Sequence, residues 1–179
     1  LTTLPYCVMT QLGKQEVGEV TNFVIPIHSK DDDVLVVDAI YIMDSDTVDK
    51  QAEKYLKPAY DAFLPKPVLS LEFQTYPIQE YRPKTAFAIV GQYNEKGKLK
   101  AKADPETRRV LSEMGVQAIS VGYEHTNECC IHNDGQSDGL QPVWLCFGGS
   151  VGEGAYGKHQ RRVRLFRLNS EKREIITWK

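Results

Sequence analysis

A chain of 179 residues with 41% hydrophobic and 26% charged side chains has the composition of a globular protein with a core to bury. Its formal net charge of -2 gives no global attraction for nucleic acid or an anionic membrane, and no run approaches the roughly 18 apolar residues of a membrane helix. Neither a nucleic-acid partner nor membrane insertion is expected.

Residues 1–18 read as an extended arm on one globular domain, with no basic-then-apolar leader in view. Val20–His28 and Val34–Met43 read as two strands joined through the polar turn Ser29–Asp33. Ser45 and Asp46 start a helix that places Val48, Ala52, Tyr55, Ala59 and Phe63 on one face, and Pro58 should bend or end it. Prolines 65, 67, 77 and 83 punctuate an extended stretch containing Val68–Phe73, and Thr85–Gln92 reads as a strand. Asp104–Gly115 is a fully punctuated helix. Asp104 can cap it, Pro105 suits the first turn, Val110, Leu111 and Met114 form an apolar stripe, and Gly115 supplies a left-handed stop.

Val116–Tyr123 is another strand, and 124–142 reads as the largest irregular loop. Val143–Phe147 resumes a strand, and a glycine-rich turn spans 148–157. Arg161–Leu168 and Glu174–Trp178 close the chain as a hairpin around Asn169–Lys172. Seven or eight strands and two flanking helices that do not alternate regularly argue an α+β fold with mostly antiparallel sheets.

Gly152, Gly154 and Gly157 fit a Gly-x-Gly-x-x-Gly phosphate loop, and Lys158, Arg161 and Arg162 follow as counter-charges. The partners of a kinase loop are missing downstream, and no helix opens here as a dinucleotide fingerprint requires. A plain hairpin loop between strands is the favoured reading of these glycines. His125, Cys129 and His132 are candidate metal ligands, but adjacent Cys129 and Cys130 lack chelating spacing. A bridge from one of them to Cys7 or Cys146 is an alternative, as are free thiols. No cofactor is expected. No Gly-x-Ser-x-Gly elbow or nucleophile–histidine pairing is visible, so no catalytic residue is assigned. The arginines and lysines at 161–179 read as the solvated face of an edge hairpin or as a basic stripe for an anion.

One family resemblance follows from the middle of the chain. Phe87–Glu95 is an aliphatic strand ending in a Tyr and acidic turn, and Glu106-x-Arg108-Arg109 leads a helix ending Ser112–Gly115. Trp144–Gly149 is a Trp-led strand closing in glycine. In this order, residues from about 85 to 154 resemble the interleukin-like epithelial–mesenchymal-transition inducer domain. The resemblance implies a noncatalytic, cytokine-like or carbohydrate-binding module with an extracellular location.

The expected function is therefore recognition of a glycan or protein partner through loops on a rigid sheet, with Tyr123, Glu124, Asn133, Asp134 and Tyr156 as the contact set. The alternative is a nucleotide- or phosphate-binding enzyme using the 148–157 loop. A structural subunit of a homo-oligomer or larger assembly is the third reading.

Overall fold

The computed structural model of the chain describes residues 22–45, 50–82, 88–94, 99–101, 106–152 and 160–179. The expected arm at 1–18 and the cap pair Asp104–Pro105 lie outside them.

β1 (Phe23–His28) and β2 (Val36–Met43) form an antiparallel hairpin across the acidic turn. Asp32 shapes that turn by accepting hydrogen bonds from the Val34 and Leu35 backbone amides. The helix that follows changes character in mid-course, with a π turn over Ala52–Leu56 giving way to α1 (Lys57–Ala62). Pro58 has no N–H to continue the ladder, so it sits in the first turn of α1, where none is needed.

Seven strands make one sheet in the order β1-β2-β3-β5-β7-β6-β4. Its further members are β3 (Leu69–Gln74), β4 (Ala88–Val90), β5 (Ala118–Val121), β6 (Cys130–Asn133) and β7 (Val143–Phe147). β8 (Leu165–Asn169) and β9 (Glu174–Trp178) form a separate ribbon. Four of the seven pairings are antiparallel, and the α+β class is as the sequence implies. The three parallel pairings are contiguous: β2, β3, β5 and β7 run side by side in one direction. β6 lies inside the stretch expected to be an irregular loop.

α2 (Thr107–Glu113) ends as its glycine dictates. Gly115 adopts φ +67°, its amide donates to the Ser112 carbonyl, and the Val116 amide donates to Leu111. Arg109 spans Glu106 and Glu113 on the exposed side. Arg108 is buried instead, donating to the Gln141 carbonyl and pairing with Asp138 at 3.5 Å. These contacts and a Gln141 amide bond to Ser112 Oγ tie the 134–142 segment to α2.

Both helices cover one face of the sheet. Val110, Leu111 and Met114 pack with Ala52 and Leu56 onto Ala39, Tyr41, Ile119, Ile131, Leu145 and Phe147, all essentially inaccessible. Each such aliphatic side chain contributes about 1.5–3 kcal/mol on leaving water. The Tyr81 hydroxyl reaches into this core and donates to the Ile119 carbonyl at 2.8 Å. The ribbon crosses the opposite face. Phe166 meets Phe73 edge-on at 5.6 Å, and Ser170 Oγ donates to Asp38 at the start of β2. A disulfide joins Cys130 to Cys146 directly across β6 and β7, and Cys129 is a buried free thiol. No helix among the described residues is long and apolar enough to cross a membrane.

Candidate functional site

Four parallel strands put four carboxyl ends on one edge, where an open sheet presents its loops to a ligand. β2 ends at Met43, β3 at Gln74, β5 at Val121 and β7 at Phe147. The segments leaving them are knitted together. The Tyr76 amide donates to Ser45 Oγ at 2.7 Å, the Tyr123 amide to the Thr75 carbonyl at 3.0 Å, and the Gly148 amide to the Val121 carbonyl at 2.7 Å.

Tyr123 and Glu124 stand on this edge. The Tyr123 ring lies 4.3 Å from that of Tyr76, with the Lys100 ammonium 5.6 Å from its centroid. Glu124 is buried and accepts the Lys100 amide at 3.5 Å. Asn127, fully buried, accepts the Asn94 amide at 2.8 Å.

Asn133 and Asp134 are elsewhere. β6 runs against β7, so Asn133 pairs with Val143 at the amino end of that strand. There the Asn133 side chain accepts the Gly135 amide and that of Asp134 accepts the Gln136 amide, which are turn-forming roles. The five-residue contact set is thus divided between opposite edges, and Tyr156 lies outside the described residues. The metal candidates are also dispersed. His125 follows β5, His132 stacks on Trp144 at 4.6 Å in mid-strand, and Cys129 is in the helix-side core. Burial pushes the Cys129 thiol up to about 11, which disfavours the ligating thiolate. Among the described residues no group of three or more His, Cys, Asp or Glu side chains could hold a metal ion.

The glycine-rich turn leaves β7 on the same carboxyl edge. Its base is closed by Ser150, whose carbonyl accepts the Arg162 amide at 3.1 Å and whose hydroxyl accepts Arg161 Nη1 at 3.1 Å. Gly152 is described and exposed; Gly154, Gly157 and Lys158 are outside the described residues. Gly149 adopts φ +69°, and a Cβ there would stand 2.7 Å from the Lys179 ammonium. The missing side chain and the positive φ of glycine leave room for the cation against this turn.

That ammonium is the least expected feature of the site. Lys179 Nζ is buried and has no hydrogen-bond acceptor among the described residues. Its pKa is pushed down to about 8, chiefly by burial, then by the Arg164 guanidinium, with Glu128 acting the other way. Arg164 is bonded to neutral acceptors: the carbonyls of Phe147 and Glu128 and the Thr177 hydroxyl. Arg162 pairs with Glu128 at 3.2 Å. Among the described residues, three cations therefore meet one carboxylate beside the Gly148–Ser150 turn. In the sequence these residues look like one charged hairpin face; only the ribbon's placement over β7 brings them together.

The chain is similar to proteins named as phosphatases. It is 29% identical, over 89% of its length, to phosphatase DCR2 of Saccharomyces cerevisiae, covering 31% of that protein. It is 41% identical over 118 residues, 64% of its length, to protein SIA1 of Kluyveromyces lactis, covering 20% of it. Identity to the probable inactive purple acid phosphatase 28 of Arabidopsis thaliana is 28% over 62% of the chain and 28% of that protein. The chain thus spans between a fifth and a third of the curated relatives it matches. No family model matches, and no solved structure does.

These relatives overturn the interleukin-like resemblance, and with it the cytokine-like and carbohydrate-binding readings and the glycan- or protein-recognition function built on them. The shared features were a capped helix between strands and a Trp-led strand. Packing alone demands such features in many folds. The alternative phosphate-binding reading is the one that the similarities favour.

Proposed function

We propose that this chain supplies a phosphate-binding edge to a phosphatase-like protein. The phosphate of an ester sits between the Gly148–Ser150 turn and the Lys179 ammonium, with Arg162 completing its charge balance. The similarity to proteins named as phosphatases supports this reading. The observation that carries it is the buried Lys179 ammonium with no acceptor among the described residues, set against a glycine at the carboxyl edge of parallel strands. A buried cation without a partner costs several kcal/mol, on the order of what a bound oxyanion restores. Phosphoryl chemistry asks chiefly for positioning and charge stabilisation, which a fixed cation and backbone amides provide.

Calorimetric titration of the chain with inorganic phosphate at pH 7 tests the reading. Binding that weakens at least tenfold in Lys179→Met is the expected result. No heat from the unaltered chain, or equal affinity in the variant, overturns it.

A further inference from the structure

The ribbon does not lie flat on the sheet. Between the two runs a cleft of about 1160 Å³. Its sheet wall includes Leu69, Ala118, Trp144 and the Cys130–Cys146 disulfide; Phe166 and Thr177 face it from the ribbon, and β9 borders it from Glu174 to Trp178. Each five-residue strand of the ribbon spans about 17 Å. Lys172 and Arg173 stand at the ribbon's tip, while Arg162, Arg164 and Lys179 stand at the carboxyl edge. Among the described residues, five cations thus line the cleft against two carboxylates, Glu128 and Glu174, and Glu128 is already paired with Arg162. The cleft carries cations at both ends, and the end beside the Gly148–Ser150 turn, with Arg162 and Lys179, is the one that suits the anionic head of a ligand with an apolar body.

We propose that the cleft receives the body of an amphiphilic phosphate monoester, an alkyl or aryl phosphate, whose head is held by Lys179 and Arg162. The inference rests on the phosphate reading above and adds the class of ester. Sugar phosphates and nucleotides gain less from this cleft than an alkyl or aryl body, because Leu69, Ala118 and Phe166 offer no hydrogen-bond partner along the apolar part of its wall. A cationic amphiphile is repelled by the excess of cations, and a neutral one gains no attraction from it. Aryl phosphates gain in addition from Trp144, which is on the ribbon side of β7 and 38% exposed.

The chain has two tryptophans, and both line the cleft, so intrinsic fluorescence reports directly on its occupancy. The full chain is titrated with inorganic phosphate, butyl phosphate, octyl phosphate, octanol and octyltrimethylammonium, with calorimetry alongside for the silent ligands. Burying each methylene tightens binding about three- to fourfold, so octyl phosphate should bind on the order of a hundredfold tighter than butyl phosphate and shift the emission to the blue. Lys179→Met should bring octyl phosphate down to the affinity of octanol. Phosphate binding with no dependence on chain length overturns the inference and leaves the phosphate reading standing. Failure of every phosphate, inorganic phosphate included, overturns both. Equal affinity for octanol or octyltrimethylammonium overturns anion selection in the cleft. Flotation with phosphatidylcholine vesicles containing phosphatidic acid separates two sources of the same chemistry. Co-flotation assigns it to a lipid head group, and octyl phosphate binding without flotation assigns it to a soluble ester.

Discussion

Glu72 gives the sharpest test of how this core is built. It occupies the middle of β3, opposite Tyr41 on β2 and Ile119 on β5, and its side chain is wholly inaccessible. Neither carboxyl oxygen has a hydrogen-bond partner among the described residues. Burial alone lifts its pKa well above the usual carboxylate range, so the folded chain holds the neutral acid. The unfolded chain ionises near pH 4.5 and releases that proton. From there up to the folded pKa the folded state binds one proton more, so stability falls as pH rises, by about 1.4 kcal/mol per unit. Glu72→Gln keeps the shape and removes the titration. Urea unfolding of both proteins between pH 5 and 8 measures the difference directly. The variant should match the parent near pH 4.5 to 5 and become progressively more stable above it, by about 1.4 kcal/mol for each unit of the window. Curves that stay parallel across this range would refute a buried, protonated Glu72.

Three further outcomes follow from the same geometry. Lys179 carries a depressed pKa of about 8, so between that value and the ordinary lysine value the unfolded chain binds the extra proton and stability rises with pH. Thermal melts from pH 7.5 to 9.5 should show this rise flattened in Lys179→Met, and an unchanged slope would place the ammonium in water. Reducing Cys130–Cys146, which closes a loop of sequence separation 16, should cost about 3 kcal/mol, read as a lower urea midpoint with dithiothreitol. Gly135→Ala should be markedly worse than Gly139→Ala. Both glycines have positive φ, costing about 1–2 kcal/mol, but a Cβ at Gly135 also falls 1.9 Å from the Leu140 carbonyl oxygen, whereas Gly139 faces open space. Equal midpoints for the two variants would remove the clash argument.

Local patterns carried most of the elements, and particular residues show why. Val143–Phe147 appears in the structure with the bounds that its continuous apolar run implies, and Gly115 stops α2 through its positive φ. β6 stayed hidden because Cys-Ile-His-Asn offers one aliphatic residue in four; the strand owes its existence to β4 and β7 on either side and to the disulfide. The parallel centre was equally out of reach. β3 and β5 are joined through a strand at the far edge and a helix, and nothing in either strand's composition distinguishes a parallel neighbour from an antiparallel one.

The candidate site was half legible for a related reason. Tyr123 and Glu124 follow β5, and Gly148, Gly149 and Gly152 follow β7, so proximity in the fold follows once those two strands are parallel. Asn133 and Asp134 are close to them in sequence, yet a single reversal of direction in β6 carries them the length of a strand away. Lys179 moves the other way. It is 30 residues from Gly149 and belongs to a hairpin rich in charge, where an exposed lysine is the ordinary expectation. Its burial depends on Arg164 reaching the Phe147 and Glu128 carbonyls, which anchors the ribbon's stem on the end of β7. The guanidinium that fixes the ribbon is therefore also the charge that lowers the lysine's pKa. An oxyanion bound at Lys179 would offset both that repulsion and the loss of solvent, so phosphate binding above pH 8 should take up a proton. Calorimetric titrations in buffers of different ionisation enthalpy measure this uptake, and identical heats in all buffers would show that the lysine holds its proton without help from a ligand.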